Sequence, residues 1–211
     1  VAAHAAGVHG LSPSRPRPDP RLLPLVLASA SPRRAALLEA AGFVFERAAV
    51  DVDERTRPGE TPRDASLRLA RDKARAAAAG RRVGTLLAGD TLVSVDDEAL
   101  GKPAGAAQAQ AMLRRLQGRE HEVFTAVAAL RARDGRLVAG VARARVRFDA
   151  LDDAALAAYV LSGEWQGKAG AYAIQGLAGR FAHVVEGQAD TVIGLSVELV
   201  ARLLDRLAED A

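Results

Sequence analysis

Two arginines stand where a helix should repel them. Residues 27–42 read LASASPRRAALLEAAG. Ser31 is a good N-cap, Pro32 a good first helical residue and Gly42 a good stop, so the spacing predicts a helix over 32–41. Arg33 and Arg34 then fall in its first turn. There the backbone dipole is positive and free N–H groups favour an anion. The placement makes sense if a polyphosphate sits among Ser29, Ser31, the helix N-terminus and two guanidinium forks. The alternative is two arginines pointing away into solvent.

Three further groups belong to the same chemistry. Asp90-Thr91 closes the apolar run TLLAGD, where a strand end would present a carboxylate to the crevice of a sheet. Lys102-Pro103 follows after a predicted turn, and Lys73 lies in RLARDKA. Asp51, Asp53 and Glu54 form an acidic loop. Cations of this kind hold phosphates, while carboxylates hold a divalent metal or take a proton from water. Together they are the equipment of phosphate-ester or anhydride hydrolysis, or of phosphoryl transfer.

Other chemistries fail on spacing. GEWQGKAG has three residues between its glycines and Ala169 after the lysine, so it is not a P-loop. No GxSxG elbow occurs. His121 and His183 are isolated and read as structural or surface residues. With no cysteine, disulfides, thiolate-bound metals and a thiol nucleophile are excluded. The net charge of +3 is too mild to signal nucleic acid. No apolar run reaches membrane-spanning length, and the first residues lack the basic-then-apolar order of a signal peptide, so a cytoplasmic location is expected.

The elements that must position these groups alternate between strand and helix. Residues 1–20, rich in Pro, Arg and Ser, are expected to be a flexible tail before a single domain over 21–211. Strands are predicted at 23–29, 43–50, 85–90 and 91–95, with helices at 63–79 and 105–116. Residues 121–132 and 136–150 read as a hairpin around Asp134-Gly135. Arg143, Arg145 and Arg147 alternate along its second strand, as a solvated face or, less readily, a nucleic-acid stripe. A helix at 152–162, a Gly-rich stretch, a strand at 181–187 and a helix at 194–208 complete a mixed α/β chain with a large twisted sheet. Trp165 suits either a cleft rim or a packing anchor.

SASPRRAALLEAAG, DVDE, RLARDKA, AGDT, GKP, GREHEVFTAV and KAGAYAIQGLAGRF, in that order, closely resemble the Maf family of nucleoside triphosphate pyrophosphatases, first named as septum-formation inhibitors. The resemblance runs from Leu25 to Leu204. It implies a mixed α/β fold with a strongly curved sheet, flanking helices and two lobes around a deep cleft. It implies cleavage between the α- and β-phosphates with Mg²⁺ or Mn²⁺, and a homodimer. Carried over by position, Ser29, Arg33 and Arg34 would grip the triphosphate. Glu54 would hold metal or water, and Lys73 and Lys102 would neutralise phosphate charge. Asp90 would be the proton acceptor and, with Glu54, a metal ligand. Thr91 and Gln175, with Arg33 near them, would choose the base. AGAYAIQG resembles the branch preferring dTTP and UTP, since an amide both donates and accepts along a uracil or thymine edge. Other branches prefer 7-methyl-GTP or a broader set. The family usually reads Gly-Ala-Asp-Thr where this chain has Ala88-Gly89-Asp90-Thr91, a departure expected to shift the backbone without removing activity. A regulator of cell division acting through a protein partner is the competing expectation.

Overall fold

A computed structural model describes residues 18–209. Of the expected tail, residues 1–17 lie outside the described residues. Asp19 caps a 3₁₀ turn at Pro20–Leu22, so regular structure begins one residue earlier than expected.

The strands are β1 (Leu25–Leu27), β2 (Phe45–Arg47), β3 (Thr85–Val95), β4 (Glu98–Leu100), β5 (Glu120–Arg131), β6 (Leu137–Phe148) and β7 (Ala182–Glu186). The helices are α1 (Pro32–Ala40), α2 (Pro62–Ala78), α3 (Ala106–Leu116), α4 (Asp153–Leu161), α5 (Ala189–Ile193) and α6 (Val197–Glu209). One mixed sheet runs β2-β1-β3-β5-β6-β7, with β4 also paired to β3. β1 is parallel to β2 and β3, and every other pairing is antiparallel.

The side-chain alternation of β3 and β5 builds the core around this sheet. At one end Leu27, Leu87, Val127 and Ala129 face α6 through Val200, Leu203 and Leu204. On the opposite face Val26, Leu86, Ala88, Ala126 and Ala128 meet Ala70, Ala74 and Ala77 of α2. The small side chains of α2 let it lie close to the strands. At the far end Val93, Val95, Val123, Val146 and Phe148 join residues of α3 and α4 in a separate cluster. The molecule thus has two lobes sharing β3 and β5.

Several expectations are corrected. The strands predicted at 85–90 and 91–95 are one eleven-residue strand, so Asp90 lies inside it rather than at its end. Gly and Asp are both depleted in strands, which favours a break at 89–90. Here Gly89 leaves room for Arg34 and Asp90 pairs with Lys73, so tertiary partners carry the strand through. β2 is three residues long rather than eight, since only Phe45–Arg47 find partners along the short β1. α5 was absent from the sequence reading, and α6 begins at Val197 rather than 194.

The arginine stripe on β6 is a solvated face laced with ion pairs. Arg143 pairs with Glu122 and Glu186, and Arg145 with Glu120 and Glu186. Trp165 is a packing anchor: its indole N–H donates to the carbonyl of Val160 at 2.9 Å, and it is buried in the far cluster. His183 is half-buried beside Asp149.

Candidate active site

β3 is left bare along part of one edge. β1 ends opposite Leu87, and β4 begins opposite Val93, so residues 88–92 have no strand on that side. A cavity of about 360 Å³ opens there, between the lobes. All nine residues to which the family resemblance gives a role line it: Ser29, Arg33, Arg34, Glu54, Lys73, Asp90, Thr91, Lys102 and Gln175.

Alternation along β3 sends its two chemical residues to opposite sides. Asp90 shares the face of Leu86 and Ala88, toward α2. Lys73 of α2 meets it with Nζ 2.6 Å from Asp90 Oδ1. The same ammonium donates to Glu54 Oε1 at 2.6 Å, and Lys102 donates to Glu54 Oε2 at 2.8 Å. Lys73 and Asp90 are 7% and 6% exposed, so this contact is a buried ion pair whose loss would strand a charge. Burial works against the charge of Glu54, but hydrogen bonds from Lys102 and Lys73 outweigh it and hold the carboxyl at about 2. This floor of the cavity carries two cations and two anions. Asp53 is drawn instead to Arg55, and Asp51 is exposed and outside the cavity lining.

Thr91 faces the other side, toward α1 and α5. Ser31 caps α1, its hydroxyl accepting from Arg34 N at 3.5 Å, and Ser29 accepts from Ser31 N at 3.2 Å. Neither arginine of the first turn runs away into solvent. Arg33 donates to the carbonyl of Ile193 at 3.3 Å. Arg34 donates to Gly194 O at 2.8 Å, Ser29 Oγ at 3.2 Å and Thr91 Oγ1 at 3.2 Å. Burial lowers the pKa of both guanidinium groups, and Arg33 adds to the effect on Arg34. A Cβ at position 89 would come within 3.4 Å of Arg34 Nε and 3.2 Å of Ala126 O. The Ala88-Gly89 order therefore gives Arg34 space beside the strand.

The third wall is the segment 167–175, and sequence reasoning missed most of it. Lys168, Tyr172 and Ile174 line the cavity beside Gln175. Burial lowers the pKa of Lys168, and the nearby charge of Arg33 lowers it further. The available signal was the KAGAYAIQG motif; a Gly-rich stretch has no periodicity to show which side chains point inward. Gly170 must be glycine, because its φ is +67° and a Cβ would sit 2.9 Å from Val93. Tyr172 anchors the wall through a 2.8 Å hydrogen bond to buried His121 Nε2, and Ala173 N donates to the Tyr159 hydroxyl at 3.1 Å. Burial holds His121 neutral, with its pKa down at about 4.

Arg33, Arg34 and Lys168 make no ion pair with a carboxylate among the described residues. The cavity thus joins a charge-balanced floor to a cationic wall, an arrangement suited to a polyanion. Two carboxylates on one ammonium could also share a divalent cation with ligand phosphates, since Mg²⁺ is commonly held by one or two carboxylates plus phosphate oxygens. The described residues contain no cluster of three or more acidic or histidine side chains that would hold a metal alone. No helix among them is long and apolar enough to cross a membrane.

Comparison with known proteins gives a consistent result. The family model described as Maf-like protein matches residues 24–207. A dTTP/UTP pyrophosphatase from Hyphomonas neptunium is 44% identical, over 89% of this chain and 97% of its own. One from Anaeromyxobacter dehalogenans (strain 2CP-1) is 47% identical, over 86% and 93% respectively. One from Novosphingobium aromaticivorans is 46% identical, over 85% and 90%. Among solved structures, a HAM1 protein from Coxiella burnetii aligns over 89% of this chain and 98% of its own, at 16% identity and a TM-score of 0.47.

Proposed function

Because this chain belongs to the Maf family, we propose that it is a nucleoside triphosphate pyrophosphatase, converting dTTP and UTP to the monophosphate and pyrophosphate. The observation that carries the reading is the pairing of a buried carboxylate with an unbalanced cationic wall in one cavity. A triphosphate supplies the negative charge that Arg33, Arg34 and Lys168 lack.

In this reading Ser29, Arg33, Arg34 and the N-terminus of α1 grip the phosphate chain. Asp90 takes a proton from water as the water oxygen attacks the α-phosphorus. The bond from that phosphorus to the bridging oxygen of the β-phosphate breaks, and pyrophosphate leaves with the bridging oxygen. Lys73 holds Asp90 and Glu54 in place, and Lys102 offsets charge gathering on the leaving group. Catalysis is then mainly positioning and electrostatic stabilisation. Glu54 and Asp90 would hold Mg²⁺ or Mn²⁺ together with substrate oxygens, and the ion would neutralise phosphate charge there. Thr91 and Gln175 would read the base. Gln175 is exposed at the cavity and its side chain has no hydrogen bond among the described residues, which leaves both ends of its amide for a ligand. A homodimeric state belongs to the same proposal and rests on the family resemblance, and a cytoplasmic location is carried with it as an expectation from the sequence.

The test is pyrophosphate release from dTTP, UTP, CTP, 7-methyl-GTP, GTP and ATP with Mg²⁺ or Mn²⁺, beside Asp90→Asn. dTTP and UTP should turn over fastest, and Asp90→Asn should lower kcat by about 10²–10⁴, the range for loss of a general base. Preference for 7-methyl-GTP would overturn the assignment of the base. No turnover of any triphosphate by folded protein would overturn the enzymatic reading.

A further inference from the structure

Thr125 has no place in the mechanism above, yet its hydroxyl is buried beside the cavity. It lies on β5 directly opposite Thr91 and is fully buried. A threonine hydroxyl has one proton to donate and two lone pairs to accept with. Thr125 Oγ1 lies 2.7 Å from the carbonyl oxygen of Thr191, and a carbonyl can only accept. The proton of Thr125 is therefore committed to Thr191. Toward Thr91 Oγ1, 2.9 Å away, Thr125 has only a lone pair to offer, so Thr91 must be the donor in that contact.

The rest of the surroundings of Thr91 enforce the same direction. Its other internal neighbour that could receive the proton is Gly194 O at 3.4 Å, again an acceptor only. Arg34 Nη2, at 3.2 Å, can only donate, and takes one lone pair of Thr91. The relay runs one way, from the Arg34 guanidinium through Thr91 and Thr125 to the Thr191 carbonyl. At 3.4 Å the Gly194 contact lies beyond the usual range of about 2.5–3.0 Å for an O–H···O bond, so Thr125 is the acceptor that holds the Thr91 proton. With its proton and one lone pair engaged, Thr91, which lines the cavity, has one lone pair left to accept with.

We propose that Thr125 is a positioning residue that fixes Thr91 as a hydrogen-bond acceptor, so that the site selects a pyrimidine with N3–H over one with a bare N3 lone pair. Uracil and thymine carry that N–H; cytosine carries a lone pair at the same ring position. This inference rests on the dTTP/UTP reading and on Thr91 facing the base. A site built to pair with a polar group rejects the analogue that cannot pair, because its own buried group is left unmatched.

The experiment measures kcat and KM for UTP and CTP with the full chain, Thr125→Val and Thr125→Ser. The wild type and Thr125→Ser should favour UTP, since serine restores the hydroxyl. In Thr125→Val the ratio of kcat/KM for UTP over CTP should fall about tenfold or more. A merely structural loss would lower both substrates together and leave the ratio intact. An unchanged ratio in Thr125→Val, or Thr125→Ser behaving like valine, overturns the inference. So does a wild type that hydrolyses UTP and CTP equally well, although hydrolysis itself then stands. If valine prevents folding, Thr125→Ala removes the same hydroxyl with less bulk and is judged by the same ratio. A wild type inactive on every triphosphate overturns the underlying reading, and the inference with it.

Discussion

The floor and the wall of the cavity solve opposite problems with similar residues. On the floor, Lys73 and Lys102 meet Glu54 and Asp90, and each charge has its counterpart. On the wall, Arg33, Arg34 and Lys168 are held by neutral oxygens of Ile193, Gly194, Ser29, Thr91 and Gln166. The floor is internally satisfied, so its geometry is set by folding. The wall keeps its charge uncompensated, so its counterpart must come from outside. The difference separates groups that belong to the native state's stability from groups that belong to ligand affinity.

Three measurements would break or sharpen that division. The largest effect should come from Lys73→Met. It leaves buried Asp90 without its partner, and removing one side of a buried pair typically costs about 3–5 kcal/mol. Denaturant unfolding at neutral pH should show that loss, and a stability within 1 kcal/mol of wild type, a bound of about one typical point mutation, would erase the contrast.

Next comes the support behind the wall. His121 is 3% exposed and its pKa lies at about 4 instead of 6.5. Between those values the unfolded chain binds a proton that the folded chain does not. Its share of stability is therefore complete above pH 6.5 and declines as pH falls toward 4, by up to about 3 kcal/mol. Unfolding of wild type and His121→Gln across pH 4–7 should show this extra slope in the wild type only. Parallel profiles would mean that His121 is not held neutral.

The smallest effect should come from Arg33→Ala. It removes a charge-assisted contact to a ligand while leaving no buried anion behind, so KM for the triphosphate should rise about tenfold with stability nearly unchanged. A fall in stability comparable to that of Lys73→Met would put Arg33 with the floor.

The sequence made the site more legible than the fold. Arg33 and Arg34 were visible because they contradict a helix dipole, and a local contradiction signals a partner elsewhere. Asp90 and Lys73 were visible as charges in or beside apolar segments, and Glu54 as part of an acidic loop. Their distances were not, because Lys73 reaches Asp90 only once α2 lies across β3. The same long-range contact explains the mistaken strand break at Asp90. Lys168 escaped notice because a Gly-rich segment has no period to read. Thr125 escaped because it is the one polar residue inside the apolar run 123–130; only the hydrogen-bond count around Thr91 exposes it. The hairpin at Asp134-Gly135 was legible from local turn chemistry alone.

β3 and β5 are paired over ten residues from Thr85 to Ser94, straight across the boundary between the lobes. Swinging one lobe against the other would have to strain that ladder. The shared pair acts as a beam, and it carries Asp90, Thr91 and Thr125 in its middle span. A nucleotide arriving between the lobes therefore meets dipoles and charges already aimed, with little left to reorient as charge moves from water to phosphate to leaving group. Whatever motion accompanies binding falls to the loops around the beam, chiefly 48–60 and 163–176, which bring Glu54, Lys168 and Gln175 to its sides.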